Sequence, residues 1–103
     1  MINIIADGSR MTAKLSGDID HHAARELRRE LDEMITRCQP ELLIIDMESV
    51  GFMDSSGVGL ILGRLRNVRA YGGEIAVRGA SREIAAVIRL SGLSGLLSEE
   101  VKE

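Results

Sequence analysis

Apolar positions recur along this chain with two different periods. Short apolar segments bounded by turn residues predict strands, and longer segments with apolar residues at i, i+3, i+4 and i+7 predict amphipathic helices. The predicted elements are, in order, strands at 2–6 and 11–15, a helix at 23–38, a strand at 42–47, a helix at 56–70, a strand at 74–77, a helix at 81–91 and a last strand around 96–97. Strands that alternate with helices indicate an α/β fold with parallel strands and right-handed crossovers.

Two aspartates follow predicted strands that we expect to be neighbours. Asp20 ends the segment 16–20, which is predicted to be a polar loop after the second strand, and Asp54 follows the third strand. Carboxyl ends of parallel strands meet at one edge of an open α/β sheet, where functional loops collect. We therefore expect Asp20 and Asp54 to lie at the same site.

The segment Asp54-Ser55-Ser56 lies where the third strand turns into the central helix. Capping of that helix is sufficient to explain an isolated Asp-Ser-Ser-Gly sequence. The first turns of the helix, however, contain three glycines: Gly57, Gly59 and Gly63. Each glycine costs about 1 kcal/mol relative to alanine in a helix. This pattern indicates that the helix backbone approaches its own sheet or a docking partner.

The charges around these serines are all negative. Residues 41–57 contain no lysine or arginine but four acids: Glu41, Asp46, Glu48 and Asp54. A serine hydroxyl in an acidic environment, with no adjacent base, is better suited to being modified than to attacking a substrate.

Two segments resemble signatures of a known family. The segment 52–64 resembles the phosphorylation-site segment of the anti-sigma-factor antagonists, which are STAS-domain proteins. The segment 17–23 resembles the second signature of that family, and its pair His21-His22 resembles the sporulation, sigma-F branch. The resemblance implies a single STAS domain over residues 1–103, with a small mixed sheet of about four to five strands and helices packed against it. The C-terminal helix of the family is expected to be absent.

The resemblance also implies a mechanism. Ser55 matches the phosphoacceptor, with Ser56 as the second candidate, and the expected partner contacts are Asp20, Asp54, Ser56 and Gly57. Asp20 is equally well explained as the N-cap of the first helix, and the two roles are compatible. The unphosphorylated protein is expected to bind an anti-sigma factor serine kinase and so to release the sigma factor. Phosphorylation by that kinase would end binding, and a separate serine phosphatase would restore it. An alternative is a STAS module of another partner-switching pathway, such as a general stress antagonist or a scaffold.

Composition narrows the function further. The chain of 103 residues has a net charge of −3 and only two aromatic residues, so a nucleic-acid-binding function is not expected. No apolar run is long enough to span a membrane and no signal peptide is present, which predicts a cytoplasmic protein, expected to be a monomer when free. The single cysteine, Cys38, closes the apolar stripe of the first helix and is predicted to be a buried, reduced thiol. The outward positions of the central helix are predicted to be solvated: Arg64, Arg66, Asn67 and Arg69.

Three enzyme-like alternatives fit the sequence poorly. Asp20-His21-His22 resembles the motif of a class of metallo-phosphoesterases, but two histidines are too few for a two-metal site. A serine hydrolase would need a G-x-S-x-G elbow and a separate base. A phosphoacceptor at Asp54 would need an acidic pair after the first strand and a late lysine, whereas Asp7 is alone there and the only late lysine is Lys102. We therefore expect a regulator without catalytic activity, metal or cofactor.

Overall fold

A computed structural model of the protein describes residues 1–98. The elements are strand β1 (Ile2–Asp7), strand β2 (Arg10–Ile19), helix α1 (His21–Cys38), strand β3 (Leu42–Met53), helix α2 (Ser55–Arg69), strand β4 (Glu74–Arg78), helix α3 (Arg82–Leu90) and a short 3-10 helix (Ser94–Leu96). The predicted order of elements is confirmed up to the last one. Residues 96–97 form a 3-10 turn and a single parallel bridge between Leu97 and Val77 instead of a strand. The expected absence of a further helix concerns residues 99–103, which lie outside the described part.

The sheet is mixed, as expected, and its four strands follow the chain order β1-β2-β3-β4. β1 and β2 form the antiparallel hairpin, whereas β2, β3 and β4 are parallel to one another. The crossovers from β2 to β3 and from β3 to β4 contain α1 and α2, respectively.

The two strands that lead to the site are longer than the apolar pattern predicts. The prediction of a loop at residues 16–20 is wrong, because β2 continues to Ile19 and pairs with the second half of β3. Backbone hydrogen bonds between strands are independent of side-chain polarity, so the polar residues 16–18 still fit the sheet. The pairing is irregular after Lys14 and again after Gly17, where φ is +89°.

The core is aliphatic, in agreement with the composition. The helices contribute one buried stripe each, which for α1 consists of Ala24, Leu27, Leu31 and Ile35. The prediction of a buried Cys38 is wrong, since the thiol is exposed. The buried stripe ends at Ile35, and the chain then turns at Gln39 in the left-handed region, which places Pro40 and not Cys38 in the core.

A second correction concerns the central helix. The buried residues of α2 include Leu60, Ile61, Arg64 and Leu65, so its buried stripe is wider than the apolar pattern alone indicates. Arg64 was predicted to be solvated with Arg66, Asn67 and Arg69, but it is only 6% exposed. The other three residues are exposed as predicted.

Candidate functional site

The carboxyl ends of β2 and β3 lie side by side. Ile19 pairs with Met53, and the backbone N–H of Asp54 donates to the carbonyl oxygen of Ile19 at 3.3 Å. Asp20 and Asp54 are therefore neighbours in space at the edge of the sheet, as the strand order predicted.

Each of these aspartates caps the helix that follows it. Asp20 Oδ1 accepts from the backbone N–H of Ala23 at 2.9 Å, and Asp54 Oδ1 accepts from the N–H of Ser56 at 2.8 Å. The hydrogen bond from Ala23 lowers the pKa of Asp20 from its ordinary value, a little desolvation opposes this, and His22 lowers it further. Two helix N-termini with capping carboxylates thus point to the same edge.

Ser55 and Ser56 occupy different environments. Ser55 is the first residue of α2 and is exposed, whereas Ser56 is half-buried and lines a groove between α1 and α2. The geometry therefore presents Ser55 more openly than Ser56.

The three glycines of α2 serve two different purposes. Gly57 is buried, and a Cβ there would overlap the side chain of Met53. Gly57, expected to contact a partner, is therefore placed in the packing of α2 on the sheet. A Cβ at Gly59 or Gly63 would meet no atom within 4 Å, so these two glycines border open space.

The acidic residues before the site are not all at the surface. Asp46 is 5% exposed, accepts from the N–H of Glu48 at 3.0 Å and pairs with Arg78, whose Nη2 lies 3.3 Å from Asp46 Oδ2. Glu48 is exposed. The acidic character of the site thus comes from fewer residues than the sequence indicates.

A basic groove beside Ser56 was not predicted from the sequence. Its cavity of about 370 Å³ is lined by side chains from the N-terminal half of α1 and from α2, among them Arg25, Arg28 and Arg64. We call it the arginine groove. The sequence contained one signal for this groove: Arg25 and Arg28 are three residues apart on α1, and Gly59 and Gly63 are four residues apart on α2.

Phe52 is a second surface feature close to Ser55 in the chain. It is 50% exposed although it is the only phenylalanine, and it lies on β3 opposite Asp18. Exposed aromatic side chains are frequent anchors in protein interfaces.

The two histidines do not converge on a metal site. His21 and His22 are exposed at the start of α1, and His22 Nε2 lies 3.7 Å from Glu26 Oε2. Within residues 1–98, no group of three or more His, Cys, Asp or Glu side chains is arranged to hold a metal ion. No helix in the same part of the chain is sufficiently long and apolar to cross a membrane.

Comparison with known proteins supports the resemblance that the two segments indicated. Residues 2–103 match the family described as the STAS domain. The chain belongs to the STAS domain family. It is 39% identical over 83 residues to the anti-sigma F factor antagonist of Paenibacillus polymyxa, which covers 81% of this chain and 71% of that protein.

Solved structures agree with this family assignment. The STAS fold here superposes on the anti-sigma factor antagonist SpoIIAA in its unphosphorylated form with a TM-score of 0.85, at 31% identity, covering 97% of this chain and 90% of that one. The Bacillus cell fate determinant SpoIIAA in its phosphorylated form matches with a TM-score of 0.77, also at 31% identity, covering 97% and 94% of the two chains. The expected fold, a small mixed α/β sheet of the STAS type, is confirmed.

Proposed function

We propose that this STAS chain is an anti-sigma factor antagonist whose partner is an anti-sigma factor serine kinase. In its unphosphorylated form it binds the kinase and releases the sigma factor. Phosphorylation of Ser55 by the kinase ends this binding, and a serine phosphatase restores it. The chain acts by binding and not by catalysis, and it is a monomer when free.

The exposure of Ser55 at the N-terminus of α2, beside two neighbouring capping carboxylates, is the observation that carries this proposal. The hydroxyl is accessible. The cap of α2 is formed by Asp54, which accepts from the backbone N–H of Ser56, so the Ser55 side chain is not needed for capping. The similarity to anti-sigma F factor antagonists supports the same partner class.

The physical effect of the modification supports a switch at the surface. A phosphate adds roughly −1.5 to −2 charges and three acceptor oxygens. The N-terminus of α2 stabilises an anion there by about 0.3–1 kcal/mol, so the domain is expected to remain folded. The phosphate adds to the negative charge of Asp20 and Asp54, so an acidic surface of an incoming partner is repelled more strongly. An interface penalty of about 3 kcal/mol corresponds to a loss of affinity of about a hundredfold.

Four residues of the site have roles of three kinds in this proposal. Asp20 and Asp54 cap their helices and also contact the kinase through their remaining carboxylate oxygen. Ser56 contributes to the interface from the wall of the arginine groove. Gly57 acts indirectly, because it lets α2 approach Met53 and so determines where Ser55 lies.

The test is intact-mass analysis after incubation with the anti-sigma F factor of the same organism and Mg-ATP. Wild type, Ser55→Ala and Ser56→Ala are compared, and the affinity for the kinase is measured before and after modification. We expect one phosphate on wild type and Ser56→Ala, none on Ser55→Ala, and loss of binding on modification.

Other results have definite meanings. Modification of Ser55→Ala but not Ser56→Ala would move the acceptor to Ser56. Absence of both binding and modification would refute the sporulation-type function and favour a STAS module of another partner-switching pathway.

A further inference from the structure

The arginine groove has more positive charge than its surroundings neutralise. Arg25 and Arg28 of α1 are exposed along one wall, and Arg64 of α2 forms the other. Within the described residues, neither Arg25 nor Arg28 makes an ion pair. Burial lowers the pKa of the Arg64 guanidinium, Asp32 opposes this effect, and the nearby charge of Arg28 lowers the pKa further. The groove therefore contains three positive charges, and two of them, Arg25 and Arg28, have no counter-ion among the described residues.

Arg64 provides the second observation. Its side chain is only 8% exposed, and its Nε lies 3.0 Å from Asp32 Oδ1, in an ion pair whose N–H direction does not meet hydrogen-bond geometry. Asp32 is shared, because Oδ1 also accepts from Asn67 Nδ2 at 3.0 Å. The Nη1 of Arg64 is buried and has no hydrogen-bond partner among residues 1–98. A buried charged donor without an acceptor is unfavourable, so a negative charge placed in the adjoining groove stabilises the Arg64 guanidinium.

The glycines of α2 leave the groove accessible. Gly59 and Gly63 lie on the groove side of the helix with open space where a side chain would be. Another chain can therefore approach the α2 backbone closely, because no side chain at these two positions stands in the way.

We infer that the arginine groove receives a carboxylate side chain of the anti-sigma factor kinase, an inference that rests on the function proposed above. Ser56 lines the groove and Ser55 precedes it, so a kinase that surrounds Ser55 covers the groove in the same encounter. Two residues that line the groove, His21 and Ser56, lie one and two positions after Asp20 and Asp54, respectively. The negative charge of these two aspartates disfavours a doubly charged phosphate in the groove more than a singly charged carboxylate.

The groove also explains how a phosphate on Ser55 ends the complex. The new charge is carried by the residue next to Ser56, which lines the groove, so it repels a carboxylate that the partner places there. Phosphorylation then weakens the contact that holds the partner in the groove.

The experiment compares two double variants that each remove two positive charges from α1. Arg25→Gln/Arg28→Gln alters the groove, whereas Arg29→Gln/Arg37→Gln alters exposed positions of the same helix outside it. Binding to the anti-sigma F factor of the same organism is measured by calorimetry, with thermal melts to confirm folding. We expect the groove variant to raise Kd about tenfold or more and the control variant to change it by about twofold or less.

A charge exchange identifies the partner's group. Acidic surface residues of the kinase are changed one at a time to arginine and tested against Arg28→Glu of this chain. Restored binding for one pair, with a coupling that the single variants do not show, would establish the carboxylate.

Each remaining outcome has a consequence. If wild type binds the kinase and the two double variants bind equally well, the groove assignment is wrong while the proposed function stands. If wild type itself does not bind, the proposed function and the groove assignment are both refuted. If inorganic phosphate binds wild type with a Kd below about 1 mM and Arg28→Gln abolishes this, the groove is a phosphoryl site and the carboxylate assignment is overturned.

Discussion

Arg64 of α2 and Asp32 of α1 form an ion pair in which Nε lies 3.0 Å from Oδ1. This contact joins the two helices that follow the neighbouring ends of β2 and β3. It also holds a nearly buried guanidinium in the wall of the arginine groove, so one interaction contributes to helix packing and to the charge of that groove.

Removal of Asp32 is expected to destabilise the protein. Asp32→Asn leaves the buried Arg64 without its counter-ion, and because the Asp32 side chain is 41% exposed we expect a loss of about 1–3 kcal/mol in the free energy of unfolding. Urea denaturation measures this value. Glu33→Gln is the matched control, since it breaks the exposed 3.5 Å pair with Arg37 and is expected to cost less than about 0.5 kcal/mol. Equal effects of the two substitutions would contradict a special importance of the Arg64–Asp32 pair.

Alanine substitutions at two glycines of α2 are expected to act in opposite directions. Gly57→Ala places a Cβ on Met53 and should lower the free energy of unfolding by about 1–3 kcal/mol. Gly59→Ala meets open space and should raise it by about 0.5–1 kcal/mol through helix propensity. Thermal unfolding distinguishes the two cases.

Gly59→Ala has a second expected effect. Its added methyl group narrows the arginine groove, so kinase binding should weaken although the domain becomes more stable. A stabilised variant with unchanged affinity would show that Gly59 does not border the interface.

The hydroxyl of Tyr71 is expected to contribute nothing favourable to stability. It is buried without a hydrogen-bond partner among the described residues, and burial raises its pKa. Tyr71→Phe removes an unsatisfied polar atom and keeps the ring, so we expect an unchanged or slightly higher free energy of unfolding, by up to about 1 kcal/mol. Chemical denaturation of the two proteins tests this, and a clear loss of stability would indicate a favourable contact of the hydroxyl.

The cap at Asp20 predicts a specific pH dependence. Because the pKa of Asp20 is lowered in the folded state, its contribution to stability is present above the ordinary value of 3.8 and is lost as the pH falls through the lower, folded value. NMR titration of the carboxyl carbon should show a midpoint below 3.8. Asp20→Asn keeps a capping oxygen and should remove this part of the acid dependence. A midpoint at or above the ordinary value would contradict the capping geometry.

The cap at Asp54 provides a complementary test at neutral pH. Asp54→Ala removes the acceptor of the Ser56 N–H and should cost about 1 kcal/mol of stability, whereas Asp54→Asn should cost much less. If the proposed kinase contact is correct, both substitutions should weaken binding, because the negative charge is lost in each.

Much of the architecture was predictable from short-range patterns. The hairpin turn at residues 7–9, the parallel strand order and the position of Ser55 at a strand-to-helix junction depend on turn chemistry, periodicity and capping within a few residues. β2 and β3 are longer than their apolar runs because residues 16–18 of β2 and 48, 49 and 51 of β3 are polar or glycine and interrupt the apolar pattern, whereas the strand pairing continues to Ile19 and Met53.

The amino-acid sequence by itself determined the seven strands and helices from β1 to α3, their order, and the placement of Asp20 and Asp54 at neighbouring strand ends, since these follow from local preferences and from the handedness of parallel crossovers. Only the tertiary structure decided that Cys38 is exposed, that Arg64 is buried against Asp32, and that Arg25 and Arg28 face the glycines of α2 across a groove. Burial depends on which face of a helix its neighbour covers, and a helix such as α2, with apolar residues on more than one side, does not specify that face until it packs against α1.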